Sequence, residues 1–339
     1  MHPTTDNRPA LLLAMGPGVA DRLLTEAHRT RLAALTRTDP YLVAHDLTAP
    51  DARTAAALAE AELLLTCWGA TPLTPGVLDR APRLRAVVHA AGSVKHHVTD
   101  ACWERGLRVT SAAAANALPV AEYTLAAILF AGKRVLRSAR RYAELRADHA
   151  WLEESADWGN HRRTVGVVGA SRIGRRVIDL LRPFDFEVLL YDPYAETPPP
   201  GTELVGLDEL CARSTVVSVH APQLPSTYRM IGAPQLAAMP DGTTLINTSR
   251  GSLVDERALL PHLLTGRLDA VLDVTDPELP PPDSPLWTLP NVLLTPHVAG
   301  SLGNELHRMA DRAVGEVERY VRGEAFAEEV RATDLTRSA

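Results

Sequence analysis

Cysteine is scarce in this chain. Three stand in 339 residues, Cys67, Cys102 and Cys211, and no two of them have C-x-x-C spacing. So sparse and odd-numbered a set argues against a disulfide framework and a zinc site, and it suits a reducing, cytoplasmic setting. Cys102 and Cys211 read as small buried apolar residues. Lysine is scarcer still: of 35 basic residues only Lys95 and Lys133 are lysines, which reads as coding bias with no functional content. No run of roughly 18 apolar residues is present, so no membrane span is expected. The N-terminus lacks a charged-then-apolar leader, and residues 11–15 read as a first strand. No residue spacing suggests a metal site. A net charge of −6 gives no reason to expect nucleic acid or an anionic membrane as partner.

What is present is ordinary globular composition, 46% hydrophobic and 22% charged, at a length that suits two domains. Short apolar runs at 10–15, 41–47, 63–68, 85–90 and 107–111 alternate with helical patterns such as 52–61. Such alternation predicts a parallel sheet with helices on both faces. A long apolar helix is expected over about 118–137, and six more strands over 164–168, 187–191, 216–220, 244–247, 270–273 and 291–294. Proline-rich stretches at 197–201 and 277–285 read as loops, and 303–321 as an amphipathic helix.

The segment from Thr164 to Val177 reads as a strand, a glycine turn and a helix. Apolar residues precede Gly169, and Gly174 lies in a helix starting near Arg172. The turn aims N–H groups of residues such as Ile173 at a pyrophosphate. The next strand ends in Asp192, 18 residues past Gly174, near the spacing expected of a ribose-binding acid. Ser171 stands where the middle glycine of such a turn belongs. Glycines at a strand–helix turn can serve packing alone, but the strand, the helix and the acid together favour a dinucleotide. Because the turn is central, its domain is expected to be inserted into another.

Three later segments end in polar residues at strand termini, where ligands bind in open α/β sheets. They carry Arg250, Glu278 and His297. Arginine grips a carboxylate with two parallel donors. Histidine passes a proton near neutral pH, and a carboxylate can orient it. Each has a plainer reading: Arg250 as a helix cap or a partner of Asp255, Glu278 as a solvated loop residue, His297 as a structural one.

The stretches Asn116–Leu125 (N-A-L-P-V-A-E-Y-T-L), 165–177, 217–227 (V-S-V-H-A-P-Q-L-P-S-T), 246–251 (I-N-T-S-R-G), 273–278 and 295–300 (T-P-H-V-A-G) together resemble the D-isomer-specific 2-hydroxyacid dehydrogenase family over nearly the whole chain. The resemblance implies two doubly wound parallel-sheet α/β domains, a Rossmann cofactor domain (116–298) inserted into a flavodoxin-like substrate domain (1–115 and 299–339). It implies NAD as cofactor, hydride transfer between nicotinamide and the C2 carbon of a 2-oxo or 2-hydroxy acid, and a homodimer with the 118–137 helix near its interface. Arg250 would anchor the substrate carboxylate and His297 would protonate its carbonyl oxygen, supported by Glu278. Cofactor contacts would come from Gly169, Ser171, Arg172, Ile173, Gly174 and Asp192, and from His220, Pro222, Thr227, Thr248, Ser249, Asp273 and Gly300. Asp273 would face the nicotinamide amide. Substrate contacts would come from Trp68, Gly92, Ser93, Val94 and Lys95.

This chain departs from the family pattern at Ser171, at Leu279 (where a proline usually follows the glutamate), and in the loop 91–98. That loop, normally G-x-G-x-D-N-x-D, reads Ala-Gly-Ser-Val-Lys-His-His-Val here. Lys95, followed by His96 and His97, reads either as a solvent-facing basic turn or as a cationic cluster for a second anionic group on the substrate. Trp68 reads equally as core or as pocket wall. Two alternatives stay open: a NAD-sensing binding protein without turnover, and a phosphite- or phosphonate-related dehydrogenase.

Overall fold

The computed structural model describes residues 7–147, 155 and 158–336. The expected assignments of 1–6 and 337–339 to the first domain, and of 148–154, 156 and 157 to the second, lie outside these residues. The chain divides into two compact units, one running to Asn116 and resuming at Ser301, the other Ala117–Gly300. Strands β1 (Leu11–Ala14), β2 (Val43–Ala44), β3 (Leu63–Thr66), β4 (Ala86–His89) and β5 (Arg108–Ser111) belong to the first unit. The second holds β6 (Thr164–Val168), β7 (Glu187–Tyr191), β8 (Thr202–Leu204), β9 (Val216–Val219), β10 (Thr244–Asn247), β11 (Asp269–Leu272) and β12 (Val292–Leu294). The chain then returns to the first unit for β13 (Glu329–Val330).

The first sheet has the order β13-β5-β4-β3-β1-β2, parallel except for β13, which runs antiparallel to β5. Its parallel part is the flavodoxin-like order, with a switch point between β1 and β3. The second sheet is all parallel, β12-β11-β10-β9-β6-β7-β8, and its order reverses between β6 and β9. That is the doubly wound Rossmann arrangement.

Burial on both faces explains why these strands read as continuous apolar runs. In β3, Leu63 and Leu65 pack with Met309, Val314 and Val317 of the Leu306–Val321 helix, while Leu64 packs on the opposite face with Leu58 and Val77. In β6, Val165 and Val167 face Ile128, Val177 and Ile178, and Val168 faces Leu210 and Leu236. Each such side chain contributes about 1.5–3 kcal/mol on full burial, an upper figure because the unfolded chain is partly collapsed.

Two strands were not expected. β8 is three residues long and polar, directly after the prolines at 198–200, and β13 is a two-residue edge. The expected 118–137 helix is instead Ala113–Gly132, followed by a second helix, Val135–Leu145, with Arg134 left-handed at φ 47° between them. The first helix ends because its last carbonyls are taken: Gly159 N donates to Gly132 O (2.7 Å) and Asn160 Nδ2 to Leu129 O (3.1 Å). With a mean hydropathy of 1.4 it is long and apolar enough to cross a membrane by length and composition, against expectation. Its Ala121 and Ile128 are buried in the second unit's core, and its Thr124 Oγ1 meets Thr248 Oγ1 at 3.2 Å. All three cysteines are buried free thiols, as expected of Cys102 and Cys211, and burial pushes the Cys67 and Cys211 thiols up to about 12.

Candidate active site

Strand ends place the second unit's polar residues along one edge. Asn247, the last residue of β10, folds the next turn: its Oδ1 accepts from Ser249 N (3.1 Å) and its Nδ2 donates to Arg250 O (2.9 Å). Gly251 then passes against the loop after β11. A methyl group there would lie 2.0 Å from the Thr275 carbonyl carbon, so the arginine must be followed by glycine. Arg250 is half-buried and donates through Nη1 to Ser249 O (2.7 Å). Burial lowers its pKa, with the charge of Glu278 opposing. It does not serve Asp255, which caps the Glu256–Leu264 helix and faces Arg229 at 3.8 Å.

Glu278 and His297 meet directly. The loop holding Glu278 is pinned by Thr275 Oγ1, which donates to the carbonyls of Pro277 (2.8 Å) and Glu278 (3.0 Å). His297 Nδ1 lies 2.6 Å from Glu278 Oε1. Their side chains are 48% and 62% exposed, and an ion pair this open adds at most about 1 kcal/mol to stability. His297 is also held at φ 54°, a left-handed conformation costing about 1–2 kcal/mol for such a residue. Stability alone does not explain a strained residue in so exposed a pair.

Asp273 holds that strain in place. It is 1% exposed. Its Oδ1 accepts from Thr295 Oγ1 (2.6 Å) and Val298 N (2.8 Å), and its Oδ2 from Ala299 N (2.9 Å). The His297 N–H donates to Asp273 O at 2.9 Å. One buried carboxylate thus clamps both sides of the histidine, a bracing function the sequence did not reveal. Gly300 closes the same loop.

Beside the switch point, Gly169 has φ 100° and lies against backbone: a Cβ there would be 2.8 Å from Ala221 N. A Cβ on Gly174 would be 2.0 Å from Gly169 O. Ser171 has an ordinary φ of −62° and caps the Arg172–Leu181 helix, its Oγ accepting from Gly174 N at 3.2 Å. No glycine is needed at that position, and the hydroxyl proton stays available to donate. Ile173 N has no acceptor among the described residues. Asp192 closes the turn by accepting from Ala170 N (2.6 Å) and Tyr194 N (2.8 Å). His220 is buried with Nε2 on Ser218 Oγ (2.9 Å), while its buried Nδ1 has no partner among the described residues, and burial lowers its pKa to about 3. Thr227 donates to Pro222 O (2.6 Å) and Ser249 Oγ to Ala221 O (2.8 Å), so both hydroxyls shape the loops they stand on. The tight turn, the open helix terminus and the orphaned imidazole nitrogen fit a dinucleotide's pyrophosphate and ribose.

Residues 126–299 match the NAD binding domain of the D-isomer specific 2-hydroxyacid dehydrogenases. The chain belongs to this family. It is 38% identical over 272 residues to D-3-phosphoglycerate dehydrogenase of Mycobacterium leprae, covering 79% of this chain and 50% of the relative. It is 34% identical over 258 residues to glyoxylate reductase of Korarchaeum cryptofilum, covering 75% and 78%. Among solved structures, D-lactate dehydrogenase from Aquifex aeolicus complexed with NAD and lactic acid superposes with a TM-score of 0.71 at 28% identity, covering 92% and 96%. The chain spans about half the length of the phosphoglycerate dehydrogenases it matches.

The first unit shows where this family member's unusual loop lies. Trp68, just past β3, is 43% exposed, which excludes the core reading. Gly92, Ser93 and Lys95 are partly exposed, and Ser93 Oγ accepts from Lys95 N at 3.4 Å. Val94 is 2% exposed and packs in the core, so only its backbone can meet a ligand. The N–H groups of Gly92, Ser93 and Val94 have no acceptor among the described residues. His97 fits neither reading of the 95–97 triplet, solvent-facing basic turn or cationic cluster: His96 is exposed, but His97 is buried, and burial lowers its pKa to about 4, so it carries no charge at neutral pH. Leu279 is 74% exposed on its loop.

Proposed function

We propose that the chain is a NAD-dependent 2-hydroxyacid dehydrogenase working as a 2-oxoacid reductase. The observation that carries this reading is the 2.6 Å pairing of Glu278 with a strained, exposed His297, on the strand edge that also presents Arg250. NADH, when bound, supplies the hydride for the carbonyl carbon. The glycine turn from Gly169 to Gly174 would hold its pyrophosphate, with Ser171, Arg172 and Ile173 at the helix terminus. Asp192 would accept from the adenosine ribose and repel a 2′-phosphate, so NADH should be preferred over NADPH. His220, Pro222, Thr227, Thr248, Ser249 and Gly300 stand along the same edge for further cofactor contacts, and Asp273 is assigned to the nicotinamide amide. His297 would give its proton to the carbonyl oxygen as hydride arrives, Glu278 would orient the imidazole through Nδ1, and Arg250 would hold the carboxylate and polarise the carbonyl.

In the first unit, the successive N–H groups of Gly92, Ser93 and Val94 suit a carboxylate. Trp68 and Lys95 are assigned to the rest of the substrate. The three buried thiols favour a cytosolic setting. We also assign a homodimer: an apolar cavity of about 240 Å³ beside Tyr123, Ala127, Phe130 and Leu136 suits a second copy of the chain. Light scattering of the purified protein tests that assignment.

NADH oxidation over a panel of 2-oxoacids tests the function. Turnover on at least one of them supports it. NADH binding with no turnover on any would favour the NAD-sensing alternative, and oxidation of phosphite alone the other.

A further inference from the structure

Beneath the 91–98 loop the first unit buries a polar chain that neither the catalytic trio nor the cofactor turn uses. Thr66 ends β3 and His89 ends β4, opposite each other in register, and His97 lies near the end of the loop. Thr66 is 1% exposed and both histidines 3%. Polar groups this deep are costly unless paired. Thr66 Oγ1 lies 2.9 Å from His89 Nδ1 and 3.2 Å from His97 Nε2, and the two rings stack with centroids 4.3 Å apart.

The hydroxyl has one proton to give, so it donates to one ring and accepts from the other. Burial lowers the pKa of His89 well below the ordinary histidine value and that of His97 to about 4, so both rings are neutral, as a one-way chain requires. The backbone closes the same loop, His97 N donating to Val94 O (3.1 Å) and Leu73 N to His97 O (2.7 Å).

We propose that Thr66, His89 and His97 are positioning residues: their relay holds His97, whose backbone N–H on the Val94 carbonyl fixes the turn, and so leaves the N–H groups of Gly92, Ser93 and Val94 to the substrate's carboxylate. This rests on the reading that the loop binds a 2-oxoacid, and it adds what holds the loop in a chain that departs from the family pattern there.

Thr66→Val keeps the shape and removes the hydroxyl. KM for the best 2-oxoacid should rise on the order of tenfold or more, with kcat and NADH affinity nearly unchanged. Thr66→Ser should restore it. A native KM in Thr66→Val, or equal losses in kcat and NADH affinity, overturns the proposal. If Thr66→Val does not fold, long-range nitrogen–proton NMR on the native chain labelled at histidine decides, with His97→Asn and His89→Asn used to assign the signals. The same tautomer at both rings, Nε2–H or Nδ1–H, supports the relay, because the one hydroxyl then donates to one ring and accepts from the other; different tautomers at the two rings overturn it. That readout needs no substrate. If no 2-oxoacid is reduced, the functional reading fails while the tautomers still report on the relay.

Discussion

His97 and His297 carry the same imidazole in opposite surroundings. His97 is 3% exposed, uncharged, and one link of a neutral relay under the 91–98 loop. His297 is 48% exposed, strained at φ 54°, and 2.6 Å from a carboxylate. Both loops are braced from below by buried polar groups. Asp273 braces one with a carboxylate that takes three donors, and Thr66 braces the other with a hydroxyl between two rings. A relay built from neutral imidazoles works only while no proton is added. The proton transfer proposed above falls to the exposed imidazole, which a reacting carbonyl could reach. The difference teaches that burial makes one histidine a fixed strut and leaves the other open to a ligand.

Removing the carboxylate brace should break the comparison most severely. Asp273→Ala takes away three hydrogen bonds to a charged group. Even about 3 kcal/mol of lost anchoring for His297 corresponds to roughly a hundredfold in rate. Turnover under saturating NADH and 2-oxoacid should fall by at least that factor. A smaller fall would mean that the loop holds itself.

Arg250→Lys comes next. It keeps the charge and loses the two-point grip, costing on the order of 1.5–3 kcal/mol, so kcat/KM should fall roughly tenfold or more. Near-native kinetics would remove Arg250 from the site.

Acid sharpens the contrast between strut and carrier. The unfolded chain protonates histidine near 6.5, whereas burial holds His97 at about 4 and His220 at about 3. Between those limits the unfolded state binds more protons, so stability is full above about 6.5 and erodes as pH falls. Each such histidine contributes a slope of about 1.4 kcal/mol per pH unit within its window. Urea midpoints measured from neutral pH toward pH 4 should fall, and His97→Asn should flatten the curve by about one histidine's share. An identical slope in that variant would mean that His97 titrates in the fold as it does in the unfolded chain.

The smallest expected effect is at Ser171. Ser171→Gly removes a helix cap worth only a few tenths of a kcal/mol relative to glycine and should change NADH affinity by less than about threefold. A larger loss would give its hydroxyl a direct role toward the phosphates.

Most of the scaffold is readable in the sequence because buried parallel strands are continuous apolar runs: β3 is Leu-Leu-Leu-Thr, and β6 is Thr-Val-Gly-Val-Val. β8 escapes notice because an edge strand of three residues beside prolines carries no such run. Arg250, Glu278 and His297 are visible as polar residues at strand ends. The braces are not. Asp273 reads as one more such residue, and nothing local shows that its oxygens fold back onto Val298 and Ala299. Thr66 and His89 become partners only through the β3–β4 register, a long-range fact. His97 escapes both readings of its triplet because Lys95 and His96 beside it suggest a basic turn, and burial is invisible to spacing. Gly251 had a signal, since glycine follows the arginine directly, but its reason lies in the distant Thr275 backbone.

The most direct test of the account is steady-state NADH oxidation by His297→Gln on the best 2-oxoacid, with NADH affinity measured by fluorescence on the same sample. Proton transfer from a positioned side chain is worth roughly a hundredfold to ten-thousandfold. The account predicts a loss of turnover in that range with NADH affinity unchanged. Turnover within about threefold of the native chain would contradict it.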